Sequence, residues 1–117
     1  MKKIVVLIIF SITLLSCEAI FVENISDKIV QVLAPKTGNE LDKGPVVFSW
    51  EELEGADEYH LKIATPNFLN ANQIVLDTII TRRSFSEDLT TGDYEWSVIG
   101  KNSEYETLEE INILTIR

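Results

Sequence analysis

An all-β sandwich is the fold this sequence predicts. Apolar side chains fall at every second position in several short segments, which is the period of a half-buried strand. Clusters of Gly, Pro, Asn and Asp separate those segments at short intervals, as in a sandwich whose strands are joined by turns. No segment carries an i, i+3, i+4 apolar pattern of useful length, so helices have no place in the domain.

The segments can be taken in order. Ile29–Leu33 is the first strand, stopped by Pro35, whose ring nitrogen cannot donate to a ladder. Lys36-Thr37-Gly38-Asn39 and Lys43-Gly44-Pro45 are turn clusters. Val46, Phe48 and Trp50 then alternate with Val47 and Ser49, giving a strand with one buried face. Glu54-Gly55-Ala56-Asp57 turns the chain into Tyr59–Ile63, where Tyr59, Leu61 and Ile63 face inward and His60 and Lys62 outward. Thr65–Asn72 is a polar loop. Ile74–Ile80 is rich in β-branched residues and reads as an edge strand. Ser84–Ser86 is short. Thr91-Gly92-Asp93 leads into Tyr94–Val98, with Tyr94, Trp96 and Val98 inward, and the loop Gly100–Glu104 follows. The last strand spans about Glu110 to Ile116. Ile111 and Ile113 fall on one parity, Leu114 and Ile116 on the other, so a β-bulge is expected near Ile113. About seven antiparallel strands result. Their predicted core is Val46, Phe48, Trp50, Tyr59, Leu61, Ile63, Tyr94, Trp96 and Val98.

The order Trp50, Gly55-Ala56, Tyr59-x-Leu61-x-Ile63, then Leu89-x-x-Gly92-x-Tyr94-x-Trp96-x-Val98 resembles a bacterial fibronectin type III or Ig-like module. The resemblance spans Ile29 to Arg117. It implies that Trp50 packs in the core and that Tyr94 forms the tyrosine corner, with Thr91 where the family usually has Pro. Such sandwiches host many unrelated roles, so the resemblance speaks to fold more than to function.

The N-terminus carries a separate signal. Lys2 and Lys3 precede an apolar run, Ile4–Leu15, which ends at Ser16 and Cys17. Charge, then an apolar stretch, then a small residue is the order of a secretory signal. The run is too short for a membrane-crossing helix, which needs ~20 apolar residues. Leu14-Leu15-Ser16-Cys17 resembles the bacterial lipobox, which implies cleavage before a diacylated Cys17. Cys17 is the only cysteine, so an intrachain disulfide is impossible. The expected organisation is a signal peptide at 1–16, a lipidated cysteine and tether at 17–28, and the sandwich at 29–117. Glu18 and Glu23 loosely resemble the acidic surface-export signal of Bacteroidota lipoproteins.

Charge narrows the partners. The chain has net charge −9, and removal of Lys2 and Lys3 with the signal gives −9 − 2 = −11. Nucleic-acid phosphates need clustered Lys and Arg, so nucleic acid is excluded as a partner. The same charge opposes electrostatic adsorption to anionic lipid, leaving acyl chains on Cys17 as the expected membrane contact. His60 is the lone histidine, with no nucleophile or orienting acid evident beside it, and reads as outward-facing. Glu51, Glu52, Glu54, Asp57 and Glu58 lack a calcium-loop pattern. No cofactor is expected. Asp77-Thr78-Ile79 resembles a short O-glycosylation motif of the Bacteroidota but lies within a predicted strand. Val75 and Ile79, expected on the outer side of an edge strand, and the loop aromatics Phe68 and Tyr105 are the candidate partner contacts. The expected role is a non-catalytic lipoprotein anchored in the outer membrane, periplasmic or surface-exposed, whose sandwich binds another envelope protein or serves a structural role. The alternative is an accessory glycan-binding lipoprotein of a nutrient-uptake system, and an enzyme is the least supported reading.

Overall fold

The computed structural model describes residues 21–117; Cys17 and the proposed cleavage site lie outside the described residues. Eight strands follow one another: β1 (Val32–Ala34), β2 (Asn39–Leu41), β3 (Gly44–Trp50), β4 (Glu58–Thr65), β5 (Gln73–Ile80), β6 (Ser84–Leu89), β7 (Gly92–Lys101) and β8 (Asn112–Ile116). They form a three-stranded sheet in the order β1-β3-β6 and a five-stranded sheet in the order β2-β8-β7-β4-β5. All pairs are antiparallel except β2 with β8.

Alternation places the core between the sheets. Val46, Phe48 and Trp50 of β3 meet Tyr59, Leu61 and Ile63 of β4 and Tyr94, Trp96 and Val98 of β7, and all nine are buried. Phe48 meets Trp96 edge-on, with ring centroids 4.9 Å apart and planes at 72°. That arrangement sets the positive edge of one ring against the negative face of the other. Tyr59 packs on Trp50 and its hydroxyl accepts the Leu53 amide at 2.9 Å, fixing the β3–β4 turn. The Tyr94 hydroxyl donates to the Thr90 carbonyl at 2.8 Å, clamping the β6–β7 turn without a Pro at position 91.

Several elements depart from the sequence reading. The first ladder is displaced to Val32–Ala34, because Val30 is drawn into the core. The cluster expected to be only a turn runs into β2, whose Asn39, Glu40 and Leu41 lie beside Leu114, Thr115 and Ile116. The bulge expected near Ile113 is absent. The β7–β8 register is unbroken from Gly92↔Ile116 to Trp96↔Asn112. Asn112, Leu114 and Ile116 point inward and Ile113 outward, so the parity break came from ignoring a buried asparagine. The bulge lies instead between β4 and β5, where Ile63 pairs with Leu76 and Ala64 with Ile74. Val75 is the extra residue.

Strand directions divide the loops between two ends. β3, β5 and β7 run toward the end that holds the leader, and β4, β6 and β8 run away from it. The leader is packed there. Ile25 is fully buried, and the Leu108 amide donates to the Lys28 carbonyl at 2.9 Å. Asn102 ties three segments together: its Nδ2 donates to the carbonyls of Glu23 (2.8 Å) and Gly55 (3.0 Å), and its Oδ1 accepts the amides of Glu104 and Tyr105. Gly55 has φ +93°, and a Cβ there would lie 2.9 Å from Ile25 Cγ2 and collide with the Glu23 carboxylate. Only glycine serves both needs.

Candidate interaction face

The outer face of the five-stranded sheet is where the remaining chemistry gathers. Lys62 of β4 lies opposite Ser97 of β7. Glu109 reaches back from the β7–β8 connection and bridges them, with Oε2 2.9 Å from Lys62 Nζ and 2.8 Å from Ser97 Oγ. Ser97 has no exposed surface, and this bond satisfies its hydroxyl. Lys62 holds the Glu109 carboxyl below its ordinary pKa, chiefly by hydrogen bonding; partial burial opposes it, and Ser97 assists.

His60 pairs with Asp77 of β5 at Nε2–Oδ1 2.5 Å. The histidine is therefore outward on its strand, as its parity requires, but half-buried against a neighbouring carboxylate rather than free in solvent. Phe68 sits half-buried in the β4–β5 loop, 5.7 Å below Lys62 Nζ at the ring centroid, and its amide donates to Glu95 Oε1 at 3.0 Å. These contacts tie β4 to β5, β4 to β7 and the two loops to the sheet. The groups are engaged with one another, and none is aimed at a shared vacant point. Among the described residues no three His, Cys, Asp or Glu side chains converge as metal ligands, and Glu51, Glu52, Glu54 and Asp57 spread around the β3–β4 turn.

The apolar part of the face flanks these polar contacts. β5 is an edge of the sheet, and Ile74 and Ile79 are each about half exposed on it. Ile113 of β8 is exposed on the other flank. Val75, expected outward beside Ile79, is half-buried and packs on the core. The bulge turns it in and gives its outward place to Ile74. A bulge cannot be read from alternation, so Ile74 was missed. Thr78 lies opposite Leu61 on the inner side and is half-buried, while Asp77 is exposed. Tyr105 is half-buried at the leader end, far along the sheet from the Phe68 loop, so the two loop aromatics form no common platform.

Two sheets of this order, a tyrosine corner and a core Trp50 at the end of β3 are decisive for architecture. The fold is that of the fibronectin type III β-sandwich. The fn3 domain of the human collagen alpha-1(XX) chain is similar at TM-score 0.58 and 16% identity, covering 78% of this chain and 88% of that one. The fibronectin(III)-like modules of Clostridium thermocellum CbhA give TM-score 0.55 at 11% identity, covering 76% of this chain and 96% of that one. An Fn3-like protein from the same bacterium gives 0.50 at 19%, covering 75% and 88%. No protein-family model and no curated protein sequence matches the chain. At these identities the likeness concerns fold alone.

Proposed function

We propose that this chain is a lipid-anchored envelope protein presenting one non-catalytic fibronectin type III module, and that the module captures a protein partner along β5. One observation carries the binding reading. β5 is eight residues long and lies at a sheet edge, and within it there is neither Lys nor Pro to blunt pairing. The other edges are better protected: β1 and β2 have three residues each, and the six-residue β6 carries two acids, Glu87 and Asp88, against the single Asp77 of β5. An extended segment of a partner would add to β5 through backbone hydrogen bonds, with Ile74 and Ile79 supplying apolar contact. The sequence order Lys2-Lys3, Ile4–Leu15, Ser16-Cys17 supports the anchor.

The glycan reading has less behind it. Trp50 and Trp96, the residues best suited to stack on a sugar, are both buried, and Phe68 and Tyr105 are apart. An enzymatic reading would need an unengaged acid, base or nucleophile facing a pocket, and the outer-face groups are paired with each other.

The test places a photo-crosslinking residue at Asp77 and compares adducts on intact cells for the parent and the Ile74→Lys, Ile79→Lys double variant. A discrete adduct that the double variant loses is expected. Surface changes of this kind shift stability by roughly ±0.5 kcal/mol, so the variant's denaturant midpoint should stay near that of the parent. An undiminished adduct rejects the β5 reading.

A further inference from the structure

We propose that the sandwich stands on the lipid surface by its leader end, with Phe21 seated among the headgroups and the Phe68–Leu69 loop outermost. This rests on the lipid anchor proposed above and adds an orientation to it.

Three observations carry it. First, the described chain enters the domain at one end only. Glu23 is bonded through its carbonyl to Asn102, and Ile25 is buried beside Gly55, so the leader is fixed between the β3–β4 turn and the β7–β8 connection. Six residue steps separate Glu23 from Cys17, a reach of about 20 Å even when fully extended. β7 alone, with ten residues, is about 33 Å long at ~3.3 Å per residue. The tether is therefore shorter than the body it holds, and the far end cannot exchange places with the leader end.

Second, Phe21 is 94% exposed and lies four steps from Cys17. An aromatic ring held within about 14 Å of an acylated residue is in reach of the headgroup layer, where a large apolar side chain gains by leaving water. Val22, next in the chain, is half-buried, whereas the Phe21 ring is left in the open.

Third, charge opposes the alternative of lying on one side. The mature chain is strongly acidic, and its acids lie along the whole body: Glu51, Glu52, Glu54, Asp57, Glu104 and Glu106 at the leader end, and Glu87, Asp88 and Asp93 at the other. A bacterial bilayer surface is anionic, and repulsion acts within a Debye length of about 8 Å at physiological salt. Standing upright brings only one end into that layer. The leader end carries more acids than the far tip, so charge does not choose between the ends; the tether and Phe21 do, and Arg82 and Arg83, exposed in the β5–β6 turn there, offset part of the repulsion.

The orientation sorts the candidate contacts. Tyr105 falls at the membrane-facing end. Phe68, and Leu69 at 90% exposure, fall at the opposite tip.

The test uses the full-length acylated protein reconstituted in phosphatidylethanolamine–phosphatidylglycerol vesicles that carry a headgroup-attached fluorescence quencher. Acylation of Cys17 leaves an introduced cysteine as the single free thiol. Fluorophores are attached to Ser103→Cys at the leader end and, separately, to Asn70→Cys at the far tip. Quenching several-fold stronger at 103 than at 70 is expected, and Phe21→Ser should weaken it at 103. Equal quenching, or stronger quenching at 70, overturns the orientation. Flotation of the vesicles separates the two claims: protein that floats with equal quenching refutes the orientation alone, and protein that does not float refutes the anchor and the orientation together.

Discussion

The two faces of the five-stranded sheet are made by the same strands and are held by different physics. On the inner face Tyr59, Leu61, Ile63, Tyr94, Trp96 and Val98 are removed from water and packed against the second sheet. On the outer face Lys62, Ser97, Glu109, His60 and Asp77 are joined by directional polar contacts at a partly wet surface. Burial of large apolar groups is worth a few kcal/mol per side chain, whereas exposed ion pairs contribute ~0–1 kcal/mol each. The inner face thus specifies the fold. The outer face costs little to change, and the exposed isoleucines at its flanks add nothing to the packing of the core.

The contrast can be tested by three substitutions of decreasing effect. Trp96→Ala removes a wholly buried ring that packs edge-on against Phe48. It should destabilise the domain by about 3–5 kcal/mol, read from the denaturant midpoint; a loss below about 1 kcal/mol would break the claim that the inner face dominates. Tyr94→Phe keeps the ring and deletes only its donation to Thr90. The expected cost is about 1 kcal/mol, and no measurable cost would mean the clamp on the β6–β7 turn is redundant.

Glu109→Gln probes the outer face and should cost less than about 1 kcal/mol at neutral pH. Its dependence on acidity is the sharper readout. The folded-state pKa of Glu109 lies below its ordinary 4.5, so its stabilisation is complete above that value. It is lost as pH falls through the folded pKa. The stability gap between parent and variant should therefore close in acid. A gap that is constant with pH would assign the effect to shape rather than charge.

How much of this was legible in the sequence follows the same division. β3, β4 and β7 announce themselves because one face is buried and the other is not, and period two reports that difference directly. β8 misleads because its inward row begins with Asn112, a polar residue that alternation scores as outward. β2 is invisible because three residues, Asn39-Glu40-Leu41, follow a turn cluster and carry one half-buried side chain. Its partner β8 lies more than seventy residues away and is parallel to it. Val75 was misplaced by a bulge, which shifts parity without leaving a mark in composition. Burial of Ile25 depends on a glycine thirty positions later. The Ser97–Glu109–Lys62 bridge depends on a loop folding back over a sheet, which no local pattern encodes.

The Asn102 clasp has a mechanical consequence. A tug on the chain ahead of Phe21 meets the Glu23 carbonyl, the buried Ile25 and the Lys28–Leu108 bond before it reaches β1, whose ladder is only three residues long. The strap works as strain relief at a cable's entry: load spreads into two neighbouring loops, and the short β1 ladder is spared until the clasp has yielded.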